Sequence, residues 1–453
     1  MNALENKRSS RHPTADEEPS SLDDLVSRLK HDSIKDLNLA WRSSDFLHSR
    51  RCATLLKRAL RRNKSVQSVS IGWRKGDRDS WLKVLGSIGE DCAYQLKSLQ
   101  LVLDDWLPET MLDTMLQQQT ALETLDLRSI RVLRKNALGE RCCGSHWRRY
   151  DESPPCDHNI VSRIIVRLRQ HPALTTLCLD DCDVDDRTAP MLSQWLHDRG
   201  GIPNLSLRNN RKLGHHGLSV ICQANITQSL DLSLCDFDGK AAQAVAKAIA
   251  LRTRVLGKLL LCGNYQIDIQ GLQALTSPAC CSKLTSLDIS YCDYTDIKAV
   301  AIISSLLKLG NTATLQQIIM QGACLSSDDC AKALCGLLKS DSPMRVIRMN
   351  GRQGGDRHYL KITQLQDIVE ALENNYQLEH LDVESCGAST TGQERALRKM
   401  LAFYLNLNRA GRKILLRKEQ SKSDPDWFDV LAAIPRDECD TMYWMVRQSA
   451  DRF

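Results

Sequence analysis

Leu174, Leu177, Leu179 and Cys182; Ile202, Leu205, Leu207 and Asn210; Leu256, Leu259, Leu261 and Asn264; Leu284, Leu287, Ile289 and Cys292 spell one phrase four times, Leu-x-x-Leu-x-Leu-x-x-Cys/Asn. The phrases begin about 28 residues apart, or about twice that, and self-similarity at a fixed period of this length marks a stacked repeat. The same phrase, with more substitutions, extends in both directions. Upstream it starts at Ile34, Val66, Leu96 and Leu122. A weaker copy, Thr227, Leu230, Leu232 and Cys235, falls inside the central run, and later copies start at Leu315, Met344 and Leu378. That makes about twelve units.

Within a phrase the apolar residues alternate with a period of two, and after it they recur at about 3.6, so each strand gives way to a helix. In the seventh unit Asp238 is placed to cap a helix whose stripe is Ala241, Ala244, Val245, Ala248 and Ile249. In the eleventh, Leu365, Ile368, Val369 and Leu372 make the equivalent stripe. Strand, loop and helix repeated in this way predict a right-handed α/β solenoid, a horseshoe of leucine-rich repeats. Helices need about 10 Å of spacing and strands about 4.8 Å, so the parallel strands should line the concave side and the helices the convex side.

A period of this length, with Cys or Asn at the ninth position and a full helix per unit, resembles the ribonuclease-inhibitor subfamily of leucine-rich-repeat proteins. The turns Cys182-Asp183-Val184, Cys235-Asp236-Phe237 and Cys292-Asp293-Tyr294 are similar to that subfamily's. The resemblance covers about residues 34–410. It implies a horseshoe that binds a ligand, without implying which one.

The division expected is a disordered N-terminus with a possible helical cap over residues 1–32, the repeat solenoid over 33–400, and a helical C-terminal cap over 401–453. In the cap, a long helix is read at 403–416. The fourth unit breaks the pattern: Ile130 stands at its ninth position, and an insertion over about 131–158 delays its helix to 160–168. A loop of that length inside a repeat is commonly functional or disordered.

Composition is that of a folded protein with an aliphatic core: 453 residues, 42% hydrophobic, 26% charged and only 5% aromatic. A formal charge of +6, from 61 basic and 55 acidic residues, gives no warrant for nucleic acid or an anionic membrane as a partner. The first 21 residues are polar and lack the apolar region of a signal peptide. No apolar run reaches the roughly 18 residues a membrane span needs. Several of the 18 cysteines fall on the ninth position, where a thiol serves as a small buried group in place of Asn, which fits a reducing, cytoplasmic setting with the nucleus also open.

The water-facing positions of the strands are the third, fifth, seventh and eighth of each phrase. The fifth reads Asn38, Ser70, Gln100, Asp126, Cys178, Ser206, Asp231, Leu260, Asp288, Ile319, Arg348, Asp382 along the chain, with Asp180 beside it. Recurrent carboxylates there can steer and orient a basic partner. Equally, polar residues are simply what solvated strands carry. Trp41, Trp73 and Tyr291 occupy the eighth position and are candidate anchors. The two tryptophans also suit packing against an N-terminal cap. The expected partner-binding set is therefore Trp41, Trp73, Asp126, Asp180, Asp231, Asp288, Tyr291, Arg348 and Asp382, on a chain monomeric when alone.

Other clusters rank below it. Cys142, Cys143, His146, Cys156 and His158 could supply tetrahedral zinc ligands, but adjacent cysteines depart from the usual pair spacing, and a solvated loop is the favoured reading. The run Arg50, Arg51, Lys57, Arg58, Arg61, Arg62 and Lys64 has no aromatic platform or groove-reading motif beside it. His215 and His216 fall in a glycine-flanked turn. Phosphate-loop, nucleophile-elbow and His-Glu-x-x-His signatures are missing, so no catalytic residue, metal or cofactor is expected. The chief expectation is a non-catalytic scaffold that binds another protein on its concave surface. The rival is a regulator of a small GTPase, since Ran GTPase-activating proteins share this architecture. Those proteins typically continue into an acidic segment, whereas here Arg412, Lys413, Arg417, Lys418 and Lys422 follow.

Overall fold

The computed structural model describes residues 22–39, 50–73, 78–90, 95–103, 106–129, 131–133, 160–309, 313–323, 327–349, 360–383, 392–410 and 412. The chain divides into two units, Met1–Cys182 and Asp183–Phe453. The first contains α1 (Leu22–Lys30), β1 (Asp36–Asn38), α2 (Arg50–Arg62), β2 (Ser68–Trp73), α3 (Arg78–Glu90), β3 (Ser98–Leu103), β4 (Trp106–Pro108), α4 (Glu109–Gln118), β5 (Thr124–Arg128), β6 (Arg131–Leu133), α5 (Ile160–Leu168) and β7 (Thr176–Cys178). The second contains α6 (Ala189–Asp198), β8 (Ile202–Ser206), α7 (His215–Gln223), β9 (Ile226–Asp231), α8 (Gly239–Ala250), β10 (Leu256–Leu260), α9 (Ile269–Leu275) and α10 (Pro278–Cys281). It continues with β11 (Leu284–Asp288), α11 (Asp296–Leu306), β12 (Gln317–Ile319), α12 (Asp328–Lys339), β13 (Val346–Met349), α13 (Ile362–Glu373), β14 (His380–Val383) and α14 (Gly392–Arg409).

Both units are α/β stacks of solenoid type. In the first, β1, β2, β3, β5 and β7 pair in parallel, and the register joins equivalent positions: Leu37 to Val69, Val69 to Leu99, Leu99 to Leu125 and Leu125 to Leu177. In the second, β8 to β14 pair in parallel and in chain order, through Leu205, Leu230, Leu259, Leu287, Ile318, Ile347 and Leu381. These column residues are buried in both units. Each removes an aliphatic side chain from water, worth about 1.5–3 kcal/mol, and column packing is what stacks one repeat on the next. A slip in register lies between Ile202 and Asn204, where Pro203 has no N–H to give the ladder and β9 carries an extra residue.

Helices cover the other side of the column residues. In α8, Ala241, Ala242, Val245, Ala246, Ala248 and Ile249 are buried and Asp238 accepts the Ala241 N–H at 2.8 Å, the predicted cap. Asp268, Thr295 and Ser327 cap α9, α11 and α12 in the same way. The N-cap of α7 is Gly214, which has no side chain, and Asp186 of the preceding repeat substitutes, accepting the Gly214 and Gly217 N–H groups at 2.8 and 2.9 Å. On α2 the apolar side, Ala53, Leu56, Ala59 and Leu60, is buried and Arg51, Arg58, Arg61 and Arg62 are exposed.

Two polar ladders fasten neighbouring repeats. The first is the ninth position. The Cys182, Cys235 and Cys292 thiols donate to the carbonyls of Leu127, Leu207 and Leu261 of the preceding repeat. Asn264 donates to Leu232 and Leu261 and accepts the N–H groups of Cys235 and Phe237. The second ladder lies where a helix hands over to the next strand. There Asn63 donates to Leu29 O, Gln119 to Ile88 O, Thr314 to Cys281 O and Asn375 to Leu338 O, each reaching back one repeat to carbonyls that a helix end leaves open. Arg252 plays this part with a guanidinium, donating to the carbonyls of Cys222, Ala224 and Ile226.

Two expectations need correction. The insertion does not open as loop: β6 occupies 131–133 and pairs in parallel with β4, Leu107 against Val132, because the fourth repeat continues extended for three residues past its own turn. The C-terminal helix starts at Gly392 rather than 403, because Glu394 and Arg398 pair one turn apart and extend it upstream. It is held to the last repeat by Asn408, which donates to Asn375 O and Leu378 O, and by Arg412, whose guanidinium lies over the rings of Tyr376 and Tyr404.

Candidate functional site

Strand alternation sends the fourth and sixth positions to the core and the third, fifth and seventh to the opposite face. The register aligns the fifth position as one column within each unit: Asn38, Ser70, Gln100, Asp126 and Cys178 in the first, and Ser206, Asp231, Leu260, Asp288, Ile319, Arg348 and Asp382 in the second.

In the first unit this column is a closed hydrogen-bond chain. Ser70 Oγ donates to Gln100 Oε1 at 2.6 Å, and Gln100 Nε2 donates to Asp126 Oδ2 at 2.8 Å. Arg128 then clamps Asp126 from two nitrogens, Nε to Oδ1 at 2.8 Å and Nη2 to Oδ2 at 2.7 Å, and its Nε lies 3.8 Å from Asp180 Oδ2. Asp126 is only 8% exposed. The Arg128 guanidinium is pushed well above its ordinary value by the bond to Asp126, against the opposing effect of burial. Cys178 is pushed up by burial, then by Asp180 and Asp126. The carboxylates expected to face a partner here, Asp126 on the same strand and Asp180 in the next repeat, are thus already engaged with Arg128.

The second unit is arranged differently. Asp231 Oδ1 accepts the Ser233 N–H and Asp288 Oδ1 the Ser290 N–H, both at 2.9 Å, so each carboxylate is fixed by its own turn rather than by a cation. Leu260 lies between them in register. The Cys262 thiol is pushed up by burial, then by Asp288, with Arg208 opposing and Asp231 adding. Tyr291 is 40% exposed and donates from its hydroxyl to Gln321 Oε1 at 3.2 Å. Further along, Arg348 is in register with Asp382, and its Nε is buried without a hydrogen-bond acceptor among the described residues. His380 beside them is lowered by burial, then by Arg348.

Trp41 lies outside the described residues, as do the cysteines and histidines between 142 and 158; Trp73 ends β2, with Leu103 opposite in register. His215 and His216 are exposed in the first turn of α7. Among the described residues no group of three or more His, Cys, Asp or Glu side chains could hold a metal ion, and no helix is long and apolar enough to cross a membrane. Sequence reading missed Arg128, although its two-residue offset from Asp126 places both on one face. It also missed Leu234, which shares Tyr291's eighth position, and Tyr265, which stands beside that column at the strand exits.

The repeated strand-turn-helix unit and its buried leucine columns define a leucine-rich-repeat fold. No family model matches the chain, and no curated protein matches it. Among solved structures it is similar to a chain of the yeast Rad7 and Elc1 complex, with 18% identity and a TM-score of 0.40 over 67% of this chain and 73% of that one. It is also similar to the leucine-rich repeat-containing protein LegL7 from Legionella pneumophila, with 16% identity and a TM-score of 0.35 over 70% of this chain and 86% of that one. Actin-binding site 2 of leiomodin-1 gives 14% identity and a TM-score of 0.18 over 57% and 96%.

Proposed function

We propose that this chain is a ribonuclease-inhibitor-type leucine-rich-repeat protein that binds another protein on the strand face of its second unit and performs no catalysis of its own. The observation that carries this reading is the pair Asp231 and Asp288. Both sit in one register column with the strand of Leu260 between them, both are held by a backbone N–H of their own turn, and both are partly exposed, with the exposed Tyr291 three residues beyond Asp288. A surface fixed before contact loses little entropy on binding, so many modest contacts add up to useful affinity. Fixed carboxylates also favour a partner with basic groups and speed its approach. Asp126 and Asp180 belong to the support of the first unit in this reading. Residues of the C-terminal helix serve as the cap of the last repeat. The chain acts in the cytoplasm, without a cofactor and as a monomer until it meets its partner.

The test replaces Asp231, Asp288 and Asp382 together by Ala and compares capture of partners from native extract. Reduced recovery with an unchanged circular-dichroism spectrum is the expected outcome. Undiminished recovery removes the strand face from consideration. Stimulated GTP hydrolysis by a small GTPase in a single-turnover assay would favour the GTPase-regulator reading instead.

A further inference from the structure

The strand exits of the second unit carry a row of residues in left-handed backbone conformation: Asn209 at φ 59°, Leu234 at 59°, Gly263 at 75°, Tyr291 at 57° and Gly322 at 89°. Glycine and asparagine adopt this conformation readily, and leucine and tyrosine do so at a steric cost. Large and small alternate along the row. A Cβ on Gly263 would stand 2.4 Å from Leu234 Cδ2, and one on Gly322 would stand 3.3 Å from Tyr291 Cδ1. Each large side chain therefore lies over the glycine of the next repeat, and the row presents two fixed apolar ridges. Tyr265, 49% exposed, has its hydroxyl 3.9 Å from the same Gly263 position and joins the first ridge.

Directly upstream on the same strands lie Asp231 and Asp288. They are separated by two strand spacings, about 10 Å, with Leu260 between them. Lys258 stands two residues before Leu260 on the same face and repels a cation from the strand-entry side. At the exit end a cation of the chain itself, Arg208, lies near Cys262, so an incoming cation is drawn to the Asp288 and Tyr291 side.

We infer that the Leu234, Tyr265 and Tyr291 ridge is a docking seat for a protein segment in which arginine adjoins a bulky apolar residue. The inference rests on the strand-face reading above and names the chemistry of its partner. Arginine fits better than lysine because a planar guanidinium can stack on a tyrosine ring while its fork pairs with a carboxylate. The neighbouring apolar side chain packs on Leu260, half-buried between the two carboxylates. A partner of opposite chemistry, acidic or nucleic acid, meets two fixed carboxylates and is rejected.

The test is selection of a random twelve-residue peptide library on the full-length protein, with counter-selection on the Leu234→Gly, Tyr291→Gly double variant. Glycine suits both φ values, so relief of the backbone offsets part of the lost side-chain packing, and the double variant should stay folded with a circular-dichroism spectrum like the parent's. Its binding-face loss is then separable from unfolding. Recovered peptides should be enriched at least threefold in arginine next to Leu, Ile or Phe, and should bind the double variant at least tenfold more weakly. Replacing that arginine by citrulline should cost a similar factor. Equal enrichment of lysine and arginine, recovery of acidic or purely apolar peptides, or no peptide that distinguishes the two proteins overturns the inference. The strand-face reading has its own readout: partner capture that depends on the three aspartates but not on Leu234 and Tyr291 leaves that reading standing and removes this one.

Discussion

Arg128 holds both carboxylate oxygens of Asp126, at 2.8 and 2.7 Å, from two residues further along the same strand. Asp126 is buried and Arg128 is half exposed, so removing the cation leaves a carboxylate supported by Gln100 and the neighbouring Cys178 thiol, with no positive charge beside it among the described residues. Arg128→Ala should cost about 1–3 kcal/mol, below what a fully buried broken pair costs because water reaches the vacated place. Urea denaturation measures it. Asp126→Asn, which can still accept from Gln100, should cost less than Arg128→Ala.

The two residue types of the ninth position should differ in weight. Asn264 makes four hydrogen bonds to backbone groups of two repeats, whereas Cys292 makes long thiol contacts at 3.6 and 3.7 Å. Asn264→Ala strands buried backbone groups and should destabilise by about 2–4 kcal/mol, against about 1 kcal/mol for Cys292→Ala. Thermal melts of the two variants side by side decide this, and equal losses would count against the ladder.

Arg252 is the strongest plug of the second ladder. Arg252→Met keeps the aliphatic stem but bares the carbonyls of Cys222, Ala224 and Ile226, for an expected loss of about 2–3 kcal/mol. Arg252→Lys, with one donor group in place of a fork, should recover part of it.

Burial pushes the thiols of Cys222, Cys281 and Cys292 up to about 12. Between the ordinary thiol value near 9 and that figure, the unfolded chain has released protons that the folded chain keeps. Stability therefore falls as pH rises from about 9 to 12, by up to about 1.4 kcal/mol per pH unit for each thiol. Denaturation at successive alkaline pH values should give a steeper decline for the parent than for Cys292→Ala.

The leucine columns were legible because a period of two inside the phrase and one near 28 between phrases constrain every repeat alike; the start of α5 at Ile160 followed from the same spacing. The second ladder was not. Asn63, Gln119, Arg252, Thr314 and Asn375 do one job with four kinds of side chain, so no letter recurs for a periodic reading to find. Asp126 and Asp231 each hold the fifth position of their own unit's column, and what separates them is the neighbour two residues downstream, Arg128 in one case and Ser233 in the other. That distinction depends on side-chain direction. β6, three residues long, exists only by virtue of its pairing with β4.

In every one of these carbonyl plugs the donating side chain lies downstream of the oxygen it serves, as with Asn63 and Leu29, Arg252 and Cys222, or Asn408 and Asn375. A nascent chain leaving the ribosome therefore presents each helix end bare until the following repeat has emerged to seal it. Assembly has a direction: among the described residues the latest seals are Asn408 on Asn375 and Arg412 on Glu373, and a ribosome stalled before them would hold that helix end still open to water.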